Sequence, residues 1–278
     1  MKRACVIGWP IEHSRSPLIH AYWLRQYGIE GSYTKEAVRP EEVAAFLRSL
    51  GAQDFAGCNV TVPHKETAYA IADEREPSAR AVQAANTLWL EGGKLHAANT
   101  DTYGFMTHLG RVVPDWKAHD GPVSVLGAGG AARAIVHGFL EAGVEEVRVF
   151  NRTRSRAEPL AEVFGPRVKV FDWGARSEGS REASVLVNTT AVGLKGAGTL
   201  GIDFTDFNSD CIVADIVYVP LETELLARAK AHGLRTVDGL GMLLNQAVPG
   251  FEKWFGYRPQ VTDELRAILI ADIERQTC

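Results

Sequence analysis

The sequence predicts an α/β protein built as two domains, and three observations carry that expectation. Strand-like and helix-like segments alternate along nearly the whole chain, the pattern of sheets covered by helices. A polar stretch at 112–120 interrupts the alternation, which restarts at 123. The 278 residues also give length for about two domains. The expected boundaries are a first domain at 1–103, a second at 104–238, and a helical tail at 239–278 that returns to the first.

Taken in order, 4–7 is an apolar run of the length of a buried strand. Residues 17–27 read as a helix that opens on Pro17 and stops at Gly28. Residues 32–37 read as a strand, 40–50 as a helix ended by Gly51, and 57–62 as a third strand. Residues 87–90 and 94–97, joined by Glu91-Gly92-Gly93, have the form of a hairpin. Residues 102–109 read as the connecting helix, with Gly104 as an unfavourable interior residue. Beyond the break, 123–126, 146–150, 168–171, 185–188 and 212–217 read as strands of a parallel sheet. Residues 131–142 and 156–164 read as its helices, and the tail as two more, 242–255 and 263–274.

Composition excludes several classes. The net charge of −4 carries no long single-sign run, which argues against a nucleic-acid or anionic-membrane partner. No apolar stretch approaches the roughly 20 residues of a membrane span, and the run after Met1 is too short for a signal peptide. Cys5, Cys58, Cys211 and Cys278 have no metal-ligand or disulfide-framework spacing, and three of them sit in apolar runs. Such buried thiols suit a reducing, cytoplasmic setting. The histidines form no metal-binding pattern, so no metal is expected.

Gly127-Ala128-Gly129-Gly130-Ala131-Ala132 follows a strand and opens a helix, the context that a Rossmann dinucleotide fingerprint requires. Gly127 allows the tight turn, Gly129 lets backbone approach a pyrophosphate, and Ala132 takes the last small position against the strand. The helix N-terminus offers unpaired N–H groups to phosphate. The next strand discriminates between cofactors. It ends Asn151-Arg152-Thr153-Arg154-Ser155-Arg156, with no carboxylate for a ribose 2′-hydroxyl and three arginines instead. A guanidinium binds a 2′-phosphate bidentately. Cations at a helix start oppose the helix dipole, a conflict that a bound phosphate relieves. The pattern therefore predicts NADP.

The first domain holds three further motifs at strand ends, where α/β sheets bind ligands. In Ser14-Arg15-Ser16-Pro17, Ser16 suits an N-cap and Pro17 the first helical turn. Capping alone explains that pair; with Ser14 added, two hydroxyls beside a helix N-terminus also suit a small carboxylate. In Asn59-Val60-Thr61-Val62-Pro63-His64-Lys65, Asn59 and Thr61 share one face of the strand, and Lys65 falls in a first helical turn. Lys65 is either a solvated surface group beside Glu66 or a ligand-facing cation. In Asn99-Thr100-Asp101, Asp101 either caps the next helix or faces Lys65, with Asn86 directing an amide to the same edge.

These motifs, in order and over nearly the whole chain, resemble the shikimate dehydrogenase family. Asp215-Ile216-Val217-Tyr218 and the run from Asp238 to Gln246 belong to the same resemblance. It implies an NADP-dependent oxidoreductase acting on shikimate and 3-dehydroshikimate, as a monomer or homodimer. It further implies that Ser14 and Ser16 hold the substrate carboxylate, and that Thr61, Asn86, Asp101, Tyr218 and Gln246 bind ring hydroxyls or line that pocket. Lys65 is then the catalytic acid/base, with Asp101 beside it. Gly127, Ala128, Gly129, Gly130 and Ala131 take the pyrophosphate; Asn151, Arg152, Thr153, Arg154 and Arg156 take the 2′-phosphate end. Ile216 and Gly239 approach the nicotinamide through backbone. The chain departs from the family pattern at Ala191, where Ser is frequent, at Leu194, where Met is common, at Pro77, where some members carry an acid, and at Gln83, where Gly is frequent. A quinate/shikimate dehydrogenase of broader specificity is the nearest alternative; a non-catalytic binding module is the more distant one.

Overall fold

The structure is a computed structural model that describes residues 1–277; Cys278 lies outside the described residues. The chain divides into two compact units, 1–104 with 243–269, and 105–242 with the stretch from 270. The sequence reading put the second break at 238/239 and assigned the whole tail to the first unit; the structure breaks at 242/243 and groups the end of the tail with the second.

The first unit is built from β1 (Lys2–Gly8), α1 (Ser16–Gln26), β2 (Gly31–Ala37), α2 (Val43–Arg48), β3 (Phe55–Val60), α3 (Lys65–Ile71), β4 (Glu74–Arg75), α4 (Pro77–Val82), β5 (Thr87–Glu91) and β6 (Lys94–Ala98), with the start of α5 (Asp101–Val112). Its six-stranded sheet runs β2-β1-β3-β5-β6-β4. β1 pairs in parallel with β2 and β3, but β5 is antiparallel to both β3 and β6. The sheet is therefore mixed: the hairpin expected over 87–97 forms, and its Gly92-Gly93 turn folds β6 straight back on β5. Apolar residues of β1, β3, β5 and β6 meet those at the end of α2 in one core that includes Ile7, Leu47, Leu50, Phe55, Val60, Leu88 and Leu95.

One contact in this unit explains a glycine. Trp254 Nε1 donates to Leu88 O at 2.8 Å. A Cβ on Gly57 would lie 2.1 Å from that same carbonyl oxygen and 2.2 Å from Nε1. Only glycine lets the indole reach the strand backbone.

The second unit contains β7 (Val123–Leu126), α6 (Gly130–Glu141), β8 (Val147–Asn151), α7 (Arg154–Phe164), β9 (Val168–Asp172), β10 (Val185–Asn188), β11 (Ile212–Asp215), α8 (Glu224–Ala231) and β12 (Arg235–Val237). The remaining helices are α9 (Leu240–Phe255) and α10 (Asp263–Thr277). The sheet order is β12-β11-β10-β7-β8-β9, parallel throughout. Val185 and Val187 enter one core while Leu186 enters the other, so both faces are covered. That is why these strands read as continuous apolar runs rather than alternating ones. Strand order reverses between β7 and β10, the point where doubly wound sheets open a crevice.

Several boundaries moved. The helix expected at 40–50 is α2, Val43–Arg48, and the strand expected at 57–62 starts and ends two residues earlier. α7 begins at Arg154, and α5 runs through Gly104, whose N–H donates to Thr100 O at 2.9 Å. The reading missed α4, β4, α8 and β12, of which α4, β4 and β12 are too short to show a period. Cys5 and Cys58 sit side by side on β1 and β3, buried and free; Cys211 precedes β11 and is likewise buried. Among the described residues no helix is long and apolar enough to cross a membrane.

Candidate active site

Lys65 opens α3 and Asp101 opens α5, and their side chains meet: Nζ lies 2.5 Å from Oδ2. The lysine side chain is 15% exposed and the carboxylate 7%. The capping role for Asp101 is not what the structure shows. It is the first residue of α5 rather than the residue before it; its own N–H is met by Asn99 Oδ1 at 3.0 Å, and its carboxylate faces Lys65. Its second oxygen, Oδ1, accepts from Asn86 Nδ2 at 2.8 Å.

Asn86 ties this pair to the rest of the unit. Its Oδ1 accepts from Thr100 N at 2.8 Å and from Thr87 Oγ1 at 3.0 Å, and its Nδ2 also reaches Gln246 Oε1 at 3.4 Å. Thr100 Oγ1 donates to Gln246 O at 2.8 Å. Lys65, Asn86, Asp101 and Gln246 are thus one hydrogen-bonded set drawn from four segments.

Behind it stands a layer in which sequence reasoning marked the asparagines but missed Tyr33 and His20. Tyr33 OH donates to Asn59 Oδ1 at 2.6 Å, and Asn59 Nδ2 donates to Asn86 O at 3.1 Å. His20 stacks on Tyr33 with ring centroids 3.9 Å apart. The imidazole is fully buried, and among the described residues neither ring nitrogen reaches a hydrogen-bond partner. Burial pushes its pKa down to about 3, opposed by the nearby Asn59 side chain. Burial likewise holds the Tyr33 hydroxyl well above its ordinary range. Nothing in the local pattern of strand 32–37 marked Tyr33, because the signal is a contact across the sheet.

The serine motif folds differently from the expectation. α1 starts at Ser16 itself, preceded by Arg15, and no side chain caps it. Ser14 Oγ and Ser16 Oγ lie 3.4 Å apart, with Ser16 N–H also directed at Ser14 Oγ. Capping therefore does not account for the pair. Thr61 follows β3, and its methyl packs where a Cβ on Gly8 would fall, at 2.6 Å.

In the second unit the fingerprint turn forms as expected. Gly127 has φ +107, and a Cβ there would lie 2.7 Å from Thr189 Oγ1. Gly129 precedes α6 in extended conformation, with no atom within 4 Å of where its Cβ would stand, so the backbone is open to a ligand. Ala128, Gly130 and Ala131 complete the turn and the first helical residues.

The three arginines separate. Arg154 pairs with Glu158 and Asp172, each at 3.4 Å. Arg152 and Arg156 are exposed and have no ion-pair partner among the described residues. Asn151 Nδ2 donates to Thr153 O at 2.7 Å, which shapes the turn that carries Arg152. Open glycine backbone, a free helix start and two unpaired guanidiniums suit a dinucleotide with an extra phosphate. Gly239 approaches Ile216 so closely that a Cβ would stand 2.3 Å from Ile216 O, which brings those two expected residues together. Tyr218 is part-buried on the loop after β11.

Fold and site define a class: a two-unit α/β protein with a Rossmann-type dinucleotide-binding sheet and a buried lysine–carboxylate pair. Residues 6–88 match the family model of the shikimate dehydrogenase substrate binding domain, and residues 111–193 that of shikimate / quinate 5-dehydrogenase. The chain is 53% identical to shikimate dehydrogenase (NADP(+)) of Azorhizobium caulinodans, over 98% of this chain and 97% of that one. It is 52% identical to the protein of the same name from Mesorhizobium japonicum, over 98% and 97%. Its structure is similar to that of shikimate 5-dehydrogenase from Thermus thermophilus, in complex with NADP(H) and shikimate. There the TM-score is 0.84 at 37% identity, with both chains fully covered. It is also similar to quinate dehydrogenase from Corynebacterium glutamicum in complex with NAD, with a TM-score of 0.88 at 29% identity over 97% of this chain and 99% of that one. The chain belongs to the shikimate dehydrogenase family.

Proposed function

We propose that this protein catalyses the reversible, NADPH-dependent reduction of 3-dehydroshikimate to shikimate. The observation that carries this reading is the buried contact of Lys65 with Asp101 at 2.5 Å, ringed by Asn86 and Gln246. When bound, NADPH supplies the hydride. As a ketone is reduced, negative charge grows on its oxygen. The Lys65 ammonium stabilises that charge and delivers the proton, and in the reverse direction it takes the proton back. Asp101 orients the ammonium, and Asn86 fixes Asp101 from behind.

The other assignments follow from the resemblance of the motifs to the family. Ser14 and Ser16 hold the substrate carboxylate; Thr61, Asn86, Asp101, Tyr218 and Gln246 take the ring hydroxyls or line the pocket. Gly127 to Ala131 hold the pyrophosphate, and Asn151 to Arg156 the 2′-phosphate end, with Arg152 and Arg156 as its free cations. Ile216 and Gly239 meet the nicotinamide through backbone. We assign the enzyme to the cytoplasm, in keeping with its buried free thiols, as a monomer or homodimer.

A second reading is a dehydrogenase that also accepts quinate, favoured by the family model and by the similarity to quinate dehydrogenase. One assay separates them. NADPH consumption with 3-dehydroshikimate, repeated with NADH, tests the main reading. Reduction of NADP and of NAD by shikimate and by quinate tests breadth. No turnover with 3-dehydroshikimate under either cofactor overturns the proposal.

A further inference from the structure

β10 and β11 end side by side at Asn188 and Asp215. Asp215 is 2% exposed, yet no cation meets it among the described residues. Its Oδ1 accepts from Asn188 Nδ2 at 2.9 Å and from Val217 N at 2.9 Å, and its Oδ2 accepts from Thr223 Oγ1 at 2.7 Å. Each donor belongs to a different segment. Asn188 holds the loop after β10: its Oδ1 accepts from Thr190 N at 3.0 Å, and its Nδ2 also donates to Val192 O at 3.2 Å. Val217 lies in the loop after β11. Thr223 is the N-cap of α8. One carboxylate therefore ties two loops and a helix start together beyond the carboxyl edge of the sheet.

That edge is where the second half of the cofactor must lie. The pyrophosphate turn follows β7 and the unpaired arginines follow β8, on one side of the reversal in strand order. The other nucleoside then extends over the ends of β10 and β11. An unpaired buried carboxylate is costly, and a role in scaffolding alone does not require its charge.

We propose that Asp215 is a positioning residue for the nicotinamide half of the cofactor: its carboxylate fixes the loop that carries Ile216 and Tyr218. The assignment rests on the NADPH reading above. Asp215 acts through the Val217 N–H and touches no reacting atom. All three of its partners donate, so a protonated Asp215 brings a further donor to a site that lacks a free acceptor until the Thr223 hydroxyl turns away. The groups that face it, Asn188 from β10, Val217 N–H from the loop and Thr223 from the start of α8, are all uncharged. Burial pushes its pKa up to about 6, so the clamp is charged at neutral pH and discharged below it.

The test is fluorescence titration of NADPH binding by the wild type and by Asp215→Asn, from about pH 7.5 to about pH 5. Adenosine 2′,5′-bisphosphate serves as the reference ligand, because it carries the same 2′-phosphate and no nicotinamide. The ratio of the two affinities cancels the titration of that phosphate. In the wild type the ratio should fall about five- to tenfold toward acid pH. In Asp215→Asn it should be flat, at the wild type's acid value, with bisphosphate affinity unchanged. A variant that follows the wild-type profile overturns the proposal, as does one that loses both ligands alike, the mark of a collapsed unit. Failure of the wild type itself to bind NADPH overturns instead the functional reading beneath it.

Discussion

Lys65 Nζ and Asp101 Oδ2 stand 2.5 Å apart although 36 residues separate them in the chain. Each sits at the first residue of a helix that follows a strand of the same sheet, so the sheet edge, not the sequence, makes them neighbours. Replacing Lys65 by Ala should lower kcat by about 10²- to 10⁴-fold, the usual worth of general acid–base help, with little change in substrate KM. Steady-state kinetics of Lys65→Ala and Lys65→Met check it; near-normal turnover rejects the catalytic role.

Among the described residues Arg152 and Arg156 have no acidic partner, whereas Arg154 has two. Arg152→Ala should therefore weaken NADPH by about 1.5–3 kcal/mol, the range for a hydrogen bond to a charged group, and leave NADH nearly unchanged. Arg154→Ala should do much less to either. Parallel Kd measurements with both cofactors decide it, and equal losses for NADPH and NADH from Arg152→Ala contradict the phosphate clamp.

The raised pKa of Asp215 also has a consequence for folding. The unfolded carboxyl titrates near 3.8 and the folded one near 6, so the folded state binds the proton more tightly. Stability from this group is complete below the lower value and is lost as pH rises through the higher one. At about 1.4 kcal/mol per pH unit, the loss at neutral pH is at most about 3 kcal/mol, reduced in a variant by the hydrogen bonds removed. Asp215→Asn should thus gain in Tm relative to the wild type as pH rises from about 4.5 to about 7.5, even as it loses cofactor affinity. A Tm difference that ignores pH would refute this.

His20 runs the opposite way. Its folded pKa is depressed from 6.5 to about 3, so stability from the neutral ring is present above 6.5 and is lost as pH falls toward 3. His20→Phe keeps the ring packed on Tyr33 and cannot take a proton. Its acid unfolding curve should lie at lower pH than that of the wild type, which circular dichroism during acid titration would record. Coincident curves would show that another group controls acid unfolding.

Gln83 closes α4 with φ 53 and ψ 35, a left-handed conformation that costs a side-chain-bearing residue roughly 1–2 kcal/mol. The residue is exposed. Gln83→Gly should stabilise the protein by about 1 kcal/mol after the entropy of the freer unfolded chain is counted. Urea unfolding measures this directly, and a lower midpoint for the variant would count against it.

The same position shows how sequence and structure divide the account. The departure from glycine at 83 is visible in the sequence; that it falls on a left-handed turn is a fact of the backbone. Likewise the run from Gly127 to Ala132 announced its turn and helix, because glycine spacing and small residues act locally. The lack of an acid after Phe150 announced the NADP preference for the same reason. What local pattern left open was which side chains turn inward together. Ser16 looked like a cap and is none; Asp101 looked like a cap and instead faces Lys65. Of the arginines at the end of β8, only packing revealed that Arg154 is engaged by Glu158 and Asp172 while Arg152 and Arg156 are not.

By itself the sequence determined most of the strands and helices in their order, the two-part division and the dinucleotide turn. These follow from period, glycine and proline, which act within a few residues. The tertiary structure alone decided the mixed order of the first sheet, the Tyr33–Asn59–Asn86 layer behind Lys65 and Asp101, and the three-way clamp at Asp215. Each of those depends on segments brought together across a sheet, and hydrogen bonds between distant strands leave no period along the chain.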